Sequence, residues 1–264
     1  MTWQNLGRGE CLHNSVLAKC SLYFINLVVA LGVALSACSS GPVRDTTTAQ
    51  GAYEEALDYI KDQRYQESIT KLNEIKNKHP YSSYAPMAEL KIADVYFAME
   101  SFAEAQAAYE LFREFHPKHP QSDYVLYRIA LSYYNRLPDT EDRDLSLAKS
   151  AVRYFDELLQ FYPHSTYSKE AGEKKTDCFK RMAAKELYIA QFYFKRAMYD
   201  SALGRFEYLY KNYPNLGFDA TALYGAAASA QKLGQRNRVQ VHVKNLLALF
   251  PESAEAQRAK TEFK

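Results

Sequence analysis

The chain has 264 residues, of which 47% are hydrophobic and 24% charged, so it can form one or two domains with a sizeable core. Its 33 basic and 31 acidic residues give a net charge of +2, which excludes a bulk electrostatic attraction to nucleic acid or to a strongly acidic partner. Only 10 glycines and 9 prolines occur against 22 tyrosines and 14 phenylalanines, which argues against collagen-like, linker-rich and turn-rich all-β chains.

The first predicted element is an N-terminal processing segment. An apolar run within residues 21–37 follows Lys19 and is shorter than the ~20 residues that a membrane-spanning helix needs. The run ends in Leu35-Ser36-Ala37-Cys38, which resembles the bacterial lipobox. The alternative is a signal anchor that ends in a cysteine by coincidence.

The lipobox resemblance implies that residues 1–37 are a lipoprotein signal peptide. In such signals the cysteine thiol, here that of Cys38, takes a diacylglycerol, the preceding peptide is removed, and the new amine is acylated. Ser39, and not an aspartate, follows the cysteine. By resemblance to lipoprotein sorting signals, this implies that the protein is sorted to the outer membrane. Residues 38–50 lack apolar periodicity and are predicted to be the lipidated cysteine and a flexible tether. Cys178 is predicted to be a small buried apolar residue.

Beyond residue 50 the sequence predicts amphipathic helices that end at regular intervals. Each end has an aromatic residue or a histidine followed by proline, which cannot continue a helix. These ends are His79-Pro80, His116-Pro117, Tyr162-Pro163, Tyr213-Pro214 and Phe250-Pro251. The spacing fits the tetratricopeptide repeat, in which small residues let two helices approach closely and aromatic residues fill the space beside them. The full signatures are Ile92, Ala93, Tyr96, Ala105, Tyr109 and Pro117 in the second repeat and Ile189, Ala190, Tyr193, Ala202, Phe206 and Pro214 in the fourth.

The third repeat departs from this pattern. The two halves of its signature lie too far apart, and the extra residues form a polar insertion at 136–144. The helix that leads into the fourth repeat is lengthened over residues 165–182. The predicted fold is an all-α, right-handed solenoid of five tetratricopeptide repeats, with repeats 1–3 in residues 51–164 and a long linking helix plus repeats 4–5 in residues 165–264. An unrelated helical bundle is the alternative.

The segments 154–167 and 205–214, together with the lipobox, tether, repeats, insertion and lengthened helix, resemble the BamD family of outer-membrane lipoproteins. The resemblance implies a periplasmic scaffold of the β-barrel assembly machinery that is not an enzyme and needs no cofactor. Its implied partners are the barrel subunit BamA, bound mainly by the C-terminal repeats, other lipoproteins of the machinery, and the outer membrane through the lipid. The N-terminal repeats are implied to receive unfolded outer-membrane proteins, whose C-terminal strand ends in an aromatic residue. A generic tetratricopeptide lipoprotein adaptor in cell-envelope or cell-wall assembly is the alternative.

The concave face of repeats 1–3 is the candidate substrate groove. The first helix of each repeat lines this face, and apolar or aromatic residues occupy ten positions where a solvated groove would carry polar ones. These residues are Tyr53, Leu57, Ile60, Met87, Leu90, Phe97, Tyr124, Tyr127, Leu131 and Tyr134. Either a ligand or another helix of the same chain covers them. The matching positions of repeats 4 and 5, which include Gln191, Lys195, Gln231 and Lys232, are more polar and favour a different partner.

Arg205 is the candidate contact with BamA. It lies in the Ala-x-x-Arg-Phe segment of the fourth repeat, which resembles the family's arginine near that interface, and its fork can bind a carboxylate through two bonds. The alternative is a solvated surface arginine. No metal site is predicted, since His116 and His119 stand before prolines as structural residues. The sequence has no phosphate-binding loop or catalytic motif, and a periplasmic location argues against a nucleic-acid partner.

Overall fold

The computed structural model describes residues 45–263, and this part of the chain contains eleven α-helices and no β-strand. The helices are α1 (Ala49–Lys61), α2 (Tyr65–Lys78), α3 (Tyr84–Ala98), α4 (Phe102–Phe115), α5 (Ser122–Tyr134), α6 (Ser146–Phe161), α7 (Ser168–Lys195), α8 (Tyr199–Asn212), α9 (Asp219–Lys232), α10 (Arg236–Leu249) and α11 (Ala254–Glu262). Five helix pairs, α1–α2 to α9–α10, follow the five predicted repeats.

The helices contact their neighbours in the order of the chain. Every helix packs on the next one, from α1 on α2 to α10 on α11. The first helix of a repeat also contacts the first helix of a following repeat, as α1 does with α3, α5 with α7, and α7 with α9. Contacts limited to neighbouring repeats are the defining property of a solenoid. The predicted all-α tetratricopeptide solenoid is therefore confirmed.

The signature residues form the core between paired helices. Ala93, Ala105 and Tyr109 in the second repeat have no exposed surface, and Phe206 in the fourth is almost fully buried. In the first repeat a serine replaces the small apolar residue of the second helix. The hydroxyl of this Ser68 donates a hydrogen bond of 3.0 Å to the carbonyl oxygen of Ala56, so the substituted polar group is satisfied inside the core.

The second helix of each repeat ends where proline predicts. His79, His116, Tyr162, Tyr213 and Phe250 are the C-terminal caps of α2, α4, α6, α8 and α10, with φ values between −127° and −133°. The ring of the following proline disfavours the helical conformation for the preceding residue, which leaves the helical region with a ψ of 50–57°. The five predicted helix ends are thus confirmed.

The turn inside the repeat uses a left-handed residue in four of the five pairs. Gln63, Glu100, Ala197 and Gly234 have φ values of 59°, 59°, 58° and 72° at equivalent positions. The amide of the next residue bonds back across the turn, as Arg64 N does to Tyr59 O at 2.7 Å. This arrangement satisfies the last carbonyl groups of the first helix and reverses the chain.

The third repeat replaces this turn with the predicted insertion. Its residues 139–144 are exposed, while Leu137 and Leu145 at its two ends are buried. Arg181 on α7 donates to the carbonyl oxygen of Pro138 at 3.2 Å, and Lys185 on α7 donates to that of Arg143 at 2.7 Å. The insertion therefore lies against the helix of the next repeat and is anchored there.

The helix before the fourth repeat is lengthened as expected, since α7 has 28 residues. At the other end of the chain, α1 begins at Ala49, so the last two residues of the predicted 38–50 tether are helical. The Thr48 hydroxyl accepts a hydrogen bond of 3.0 Å from Gly51 N and caps the helix. The predicted lipidation site, Cys38, lies outside the described residues.

Two glycines in the C-terminal repeats should respond in opposite directions to alanine. A Cβ atom at Gly225 would lie 2.5 Å from ring atoms of Phe206, whereas one at Gly204 would have no neighbour within 4 Å. We expect Gly225→Ala to lower the free energy of unfolding by about 1–2 kcal/mol, because overpacking exceeds the gain in helix propensity. Gly204→Ala should raise it by about 0.5–1 kcal/mol. Urea titrations of both variants measure the difference, and stabilisation by both would contradict the close packing at Gly225.

Candidate functional site

The ten predicted groove residues do not share one environment. Tyr53, Leu90, Tyr127 and Leu131 are buried, with 5–8% of their surface exposed, and belong to the core. Leu57, Ile60, Phe97, Tyr124 and Tyr134 are half-buried, and Met87 is exposed. The residues that a ligand could contact therefore form a smaller apolar surface, centred on α1 and α3 with a contribution from α5.

In the third repeat this face is partly covered by the chain itself. The Tyr127 ring stacks on Tyr167 with centroids 4.9 Å apart, and Tyr134 donates to the carboxylate of Asp177 at 2.8 Å. The ammonium of Lys174 lies 4.6 Å from the centre of the Tyr134 ring. Burial, together with a hydrogen bond to Glu170, raises the pKa of Tyr127, so its hydroxyl is a neutral donor. Tyr134 is thus contacted by α7, and Tyr127 by the residue that precedes this helix.

A polar cluster lies beside the remaining apolar surface, and we call it the Asp94 cluster (Lys91, Asp94, Tyr109, Tyr124 and Arg128). One Asp94 oxygen accepts hydrogen bonds from the hydroxyls of Tyr109 and Tyr124 at 2.7 and 2.6 Å. The other accepts from the Lys91 ammonium at 2.8 Å. The Arg128 Nε donates to the Tyr109 hydroxyl at 3.0 Å. Burial first, and the charge of Asp94 second, raise the pKa of both tyrosines, which stay protonated and hold the carboxylate in place.

Sequence reasoning missed the charged members of this cluster. Lys91 and Asp94 come from α3, while Arg128 lies on α5, and Tyr109 of α4 joins them. A usable signal existed, since Asp94 is four residues after Leu90 and therefore on the same side of α3 as a predicted groove position. Charged residues amid apolar groove positions are the kind of group that orients a ligand.

Arg205 lies on α8 in the C-terminal half, far along the chain from the groove. Its side chain is half-exposed, and one guanidinium nitrogen donates to Glu186 on α7 at 3.0 Å. Next to this pair is a polar cleft of about 240 Å³, lined by residues that include Lys149, Lys185 and the exposed Tyr208. Arginine and tyrosine are enriched where protein interfaces carry most of their binding energy.

The C-terminal repeats are polar where predicted but also contain an apolar cavity. Gln191, Lys195, Gln231 and Lys232 are all exposed. Gln191 and Lys195 border a cavity of about 380 Å³, whose walls include the aromatic residues Phe194, Phe206 and Tyr224 together with Gly225. Sequence reasoning missed this cavity, because its walls come from α7, α8, α9 and α11, which are far apart in the sequence.

The remaining candidates have structural environments. His116 contacts Glu89 at 2.7 Å, and His119 accepts a hydrogen bond from Gln121 N, so both rings have partners within the fold. Within residues 45–263 there is no group of three or more histidine, cysteine, aspartate or glutamate side chains able to hold a metal. Cys178 is fully buried, which confirms its predicted setting, and burial raises the pKa of its thiol to about 12. None of the helices within the described range is long and apolar enough to cross a membrane.

The sequence is similar to known proteins over most of its length. The outer membrane protein assembly factor BamD of Neisseria meningitidis serogroup A is 29% identical over 87% of this chain and 92% of its own. The protein of the same name from Vibrio cholerae is 28% identical over 82% of this chain and 94% of its own. Among solved structures, the type IV pilus biogenesis factor PilW aligns with 81% of this chain and 98% of its own, at 18% identity and a TM-score of 0.39. Residues 45–246, more than half of the chain, match the YfiO family, described as an outer membrane lipoprotein. The chain belongs to the YfiO family of outer membrane lipoproteins.

Proposed function

We propose that this protein is a non-enzymatic scaffold that serves the assembly of outer membrane proteins at the periplasmic face of the outer membrane. The observation that carries the proposal is family membership over residues 45–246. In addition, the relatives named for outer membrane protein assembly align with this chain over nearly their whole length. A tetratricopeptide solenoid suits this role, because its stacked repeats offer extended surfaces to more than one partner. The lipid on Cys38 would supply the anchor.

The N-terminal half is proposed to receive unfolded outer membrane proteins by their C-terminal strand. On the predicted concave face Met87 is exposed, and Leu57, Ile60 and Phe97 are half-buried, so an apolar segment could cover them. The charged residues of the Asp94 cluster border this surface and could orient the segment. Tyr53, Leu90, Tyr127 and Leu131 support the surface from below rather than touching the ligand.

The C-terminal half is proposed to bind a BamA-like barrel protein, with other assembly lipoproteins as further partners. Affinity purification of the tagged lipoprotein from detergent-solubilised envelopes tests the whole proposal. Recovery of a large barrel protein with repeated periplasmic domains is the expected result. Recovery of cell-wall synthesis or division proteins without such a barrel protein would support a generic envelope adaptor and contradict the assembly role.

Arg205→Glu should weaken binding to the periplasmic part of BamA. If Arg205 bonds a carboxylate of the partner, reversal of its charge should cost about 2 kcal/mol or more, which is roughly 30-fold in affinity. Glu186 is only 17% exposed, and the variant places a second carboxylate next to it, so circular dichroism must show that the variant keeps its helices before the affinities are compared. Surface plasmon resonance with immobilised BamA periplasmic domains measures the change.

Lys211→Glu is the matched control for this measurement. Lys211→Glu makes the same change of charge on the same helix, α8. Lys211 lies six residues after Arg205, which is about 240° around the helix axis, so its side chain lies on a different side of α8 from that of Arg205. Its affinity should stay within about twofold of the wild type. If the wild type and Arg205→Glu bind the BamA periplasmic domains with equal affinity, Arg205 is not part of the interface.

A further inference from the structure

Arg128 is a half-buried cation with two unused donor groups. Its Nε donates to the Tyr109 hydroxyl at 3.0 Å, but its two terminal nitrogens have no hydrogen-bond partner among residues 45–263. Within the same residues, no carboxylate oxygen lies within 4.0 Å of its guanidinium nitrogens. The outer edge of the fork is therefore available to an anion.

Asp94, the acidic member of the Asp94 cluster, already has hydrogen-bond partners for both of its oxygens. One of its oxygens accepts two tyrosine hydroxyls and the other accepts the Lys91 ammonium. Lys91 and Asp94 compensate each other, so the positive charge of Arg128 remains in excess. The partly buried setting makes this charge stronger toward a ligand than the same charge in water.

Aromatic rings fix the guanidinium in one orientation. Its carbon lies 3.5 Å from the centre of the Phe97 ring and 5.6 Å from that of Tyr124. Stacking of this kind holds the planar fork without using its terminal donors. A carboxylate bound by the fork would consequently lie beside aromatic surface, and an apolar group next to that carboxylate would be buried against it.

A chain terminus meets both requirements within one residue. Its α-carboxylate and its side chain are attached to the same Cα atom, so the fork and the rings can be contacted together. We propose that Arg128 binds the terminal α-carboxylate of an unfolded polypeptide whose last residue is aromatic or aliphatic. This inference rests on the proposed function of the N-terminal repeats and adds the group by which the substrate end is held.

The test compares two short peptides that end in phenylalanine and contain no acidic side chain, one with a free C-terminal carboxylate and the other amidated. Binding to the detergent-solubilised full-length protein is followed by fluorescence anisotropy of a dye on the peptide N-terminus. The free acid should bind the wild type about tenfold more tightly than the amide, because only the acid can form charge-assisted bonds to the fork. In Arg128→Met, whose side chain still covers Phe97, the two peptides should bind equally.

Two further variants separate the proposal from a general loss of structure. Arg128→Lys keeps the charge without the fork and should retain a reduced preference for the acid. Arg196 also stacks on a ring, at 4.4 Å from the centre of Phe192, so Arg196→Met is the matched control and should keep the full preference. Circular dichroism checks that each variant retains its helices.

The outcomes distinguish this inference from the function on which it rests. Equal binding of acid and amide to the wild type would overturn the role of Arg128 while leaving peptide reception intact. A preference for the acid that survives in Arg128→Met would place the carboxylate site elsewhere and also overturn the inference. Failure of both peptides to bind would contradict the proposed reception of substrate ends itself.

Discussion

Phe155→Ala should lower the free energy of unfolding by about 3–5 kcal/mol, as is typical when a large side chain is removed from a core. Phe155 lies on α6 in the third repeat, has no exposed surface, and belongs to the largest apolar cluster of the described residues. Its ring fills space between helices that cannot collapse without moving α5 or α7, so the cavity would remain. For a domain of this size each kcal/mol corresponds to about 2–4 °C, and the melting temperature should fall by about 6–20 °C.

The same helix provides a matched control. Phe161 lies six residues further along α6 with 64% of its surface exposed, so Phe161→Ala removes the same atoms from a solvated site. It should change the free energy of unfolding by no more than about 0.5 kcal/mol. Urea titration and differential scanning calorimetry compare the two variants. Similar losses in both would mean that the third repeat is not packed as described.

The regular parts of the fold follow from local sequence. Five helices end because a proline follows their C-terminal caps, which are His79, His116, Tyr162, Tyr213 and Phe250. The regular spacing of these prolines limits where each following helix can begin. Small residues such as Ala105 and Ala202 allow two helices to approach closely. Both side chains have 0% of their surface exposed, as this role requires. These signals involve residues near one another in sequence, and the repeat multiplies each of them.

The turns inside the repeats could not be predicted in the same way. Of the four left-handed turn residues, only Gly234 belongs to the type that favours this conformation, while Gln63, Glu100 and Ala197 carry the cost of a Cβ atom. Tertiary packing of the two helices enforces the turn and overrides the local preference. The anchoring of the insertion on Arg181 and Lys185 depends on a contact over more than 40 residues, which no local pattern reveals.

The candidate site was predicted in outline only. Helical register selects one face of α1, α3 and α5, but register does not tell which residues on that face are covered by the rest of the chain. Tyr127 faces that side and still becomes core, because Tyr167 of the following segment stacks on it. No local pattern singles out Arg128, because its environment comes from Phe97 and Tyr109 on two other helices.

Cys38→Ser should remove the protein from the outer membrane fraction. A serine hydroxyl cannot take the place of the thiol in acylation, and in lipoproteins of this kind removal of the signal peptide follows acylation. Each buried CH2 group of an acyl chain contributes about 0.8 kcal/mol to membrane binding, and more than one chain is needed for a stable anchor. We therefore expect the wild type to sediment with the outer membrane and the variant to be absent from that fraction. The intact mass of the variant should lack acyl chains and retain residues 1–37.

Cys178→Ala is the matched control, since it removes a cysteine whose thiol is fully buried and has a raised pKa. Fractionation of the envelope on a density gradient, followed by mass spectrometry of the intact protein, should show the control in the outer membrane with its lipid in place. A wild-type protein without acyl chains would contradict lipidation at Cys38, whichever membrane fraction contains the protein. The intact mass shows whether the thiol of Cys38 is the attachment point, and the fractionation shows whether that lipid holds the protein at the outer membrane.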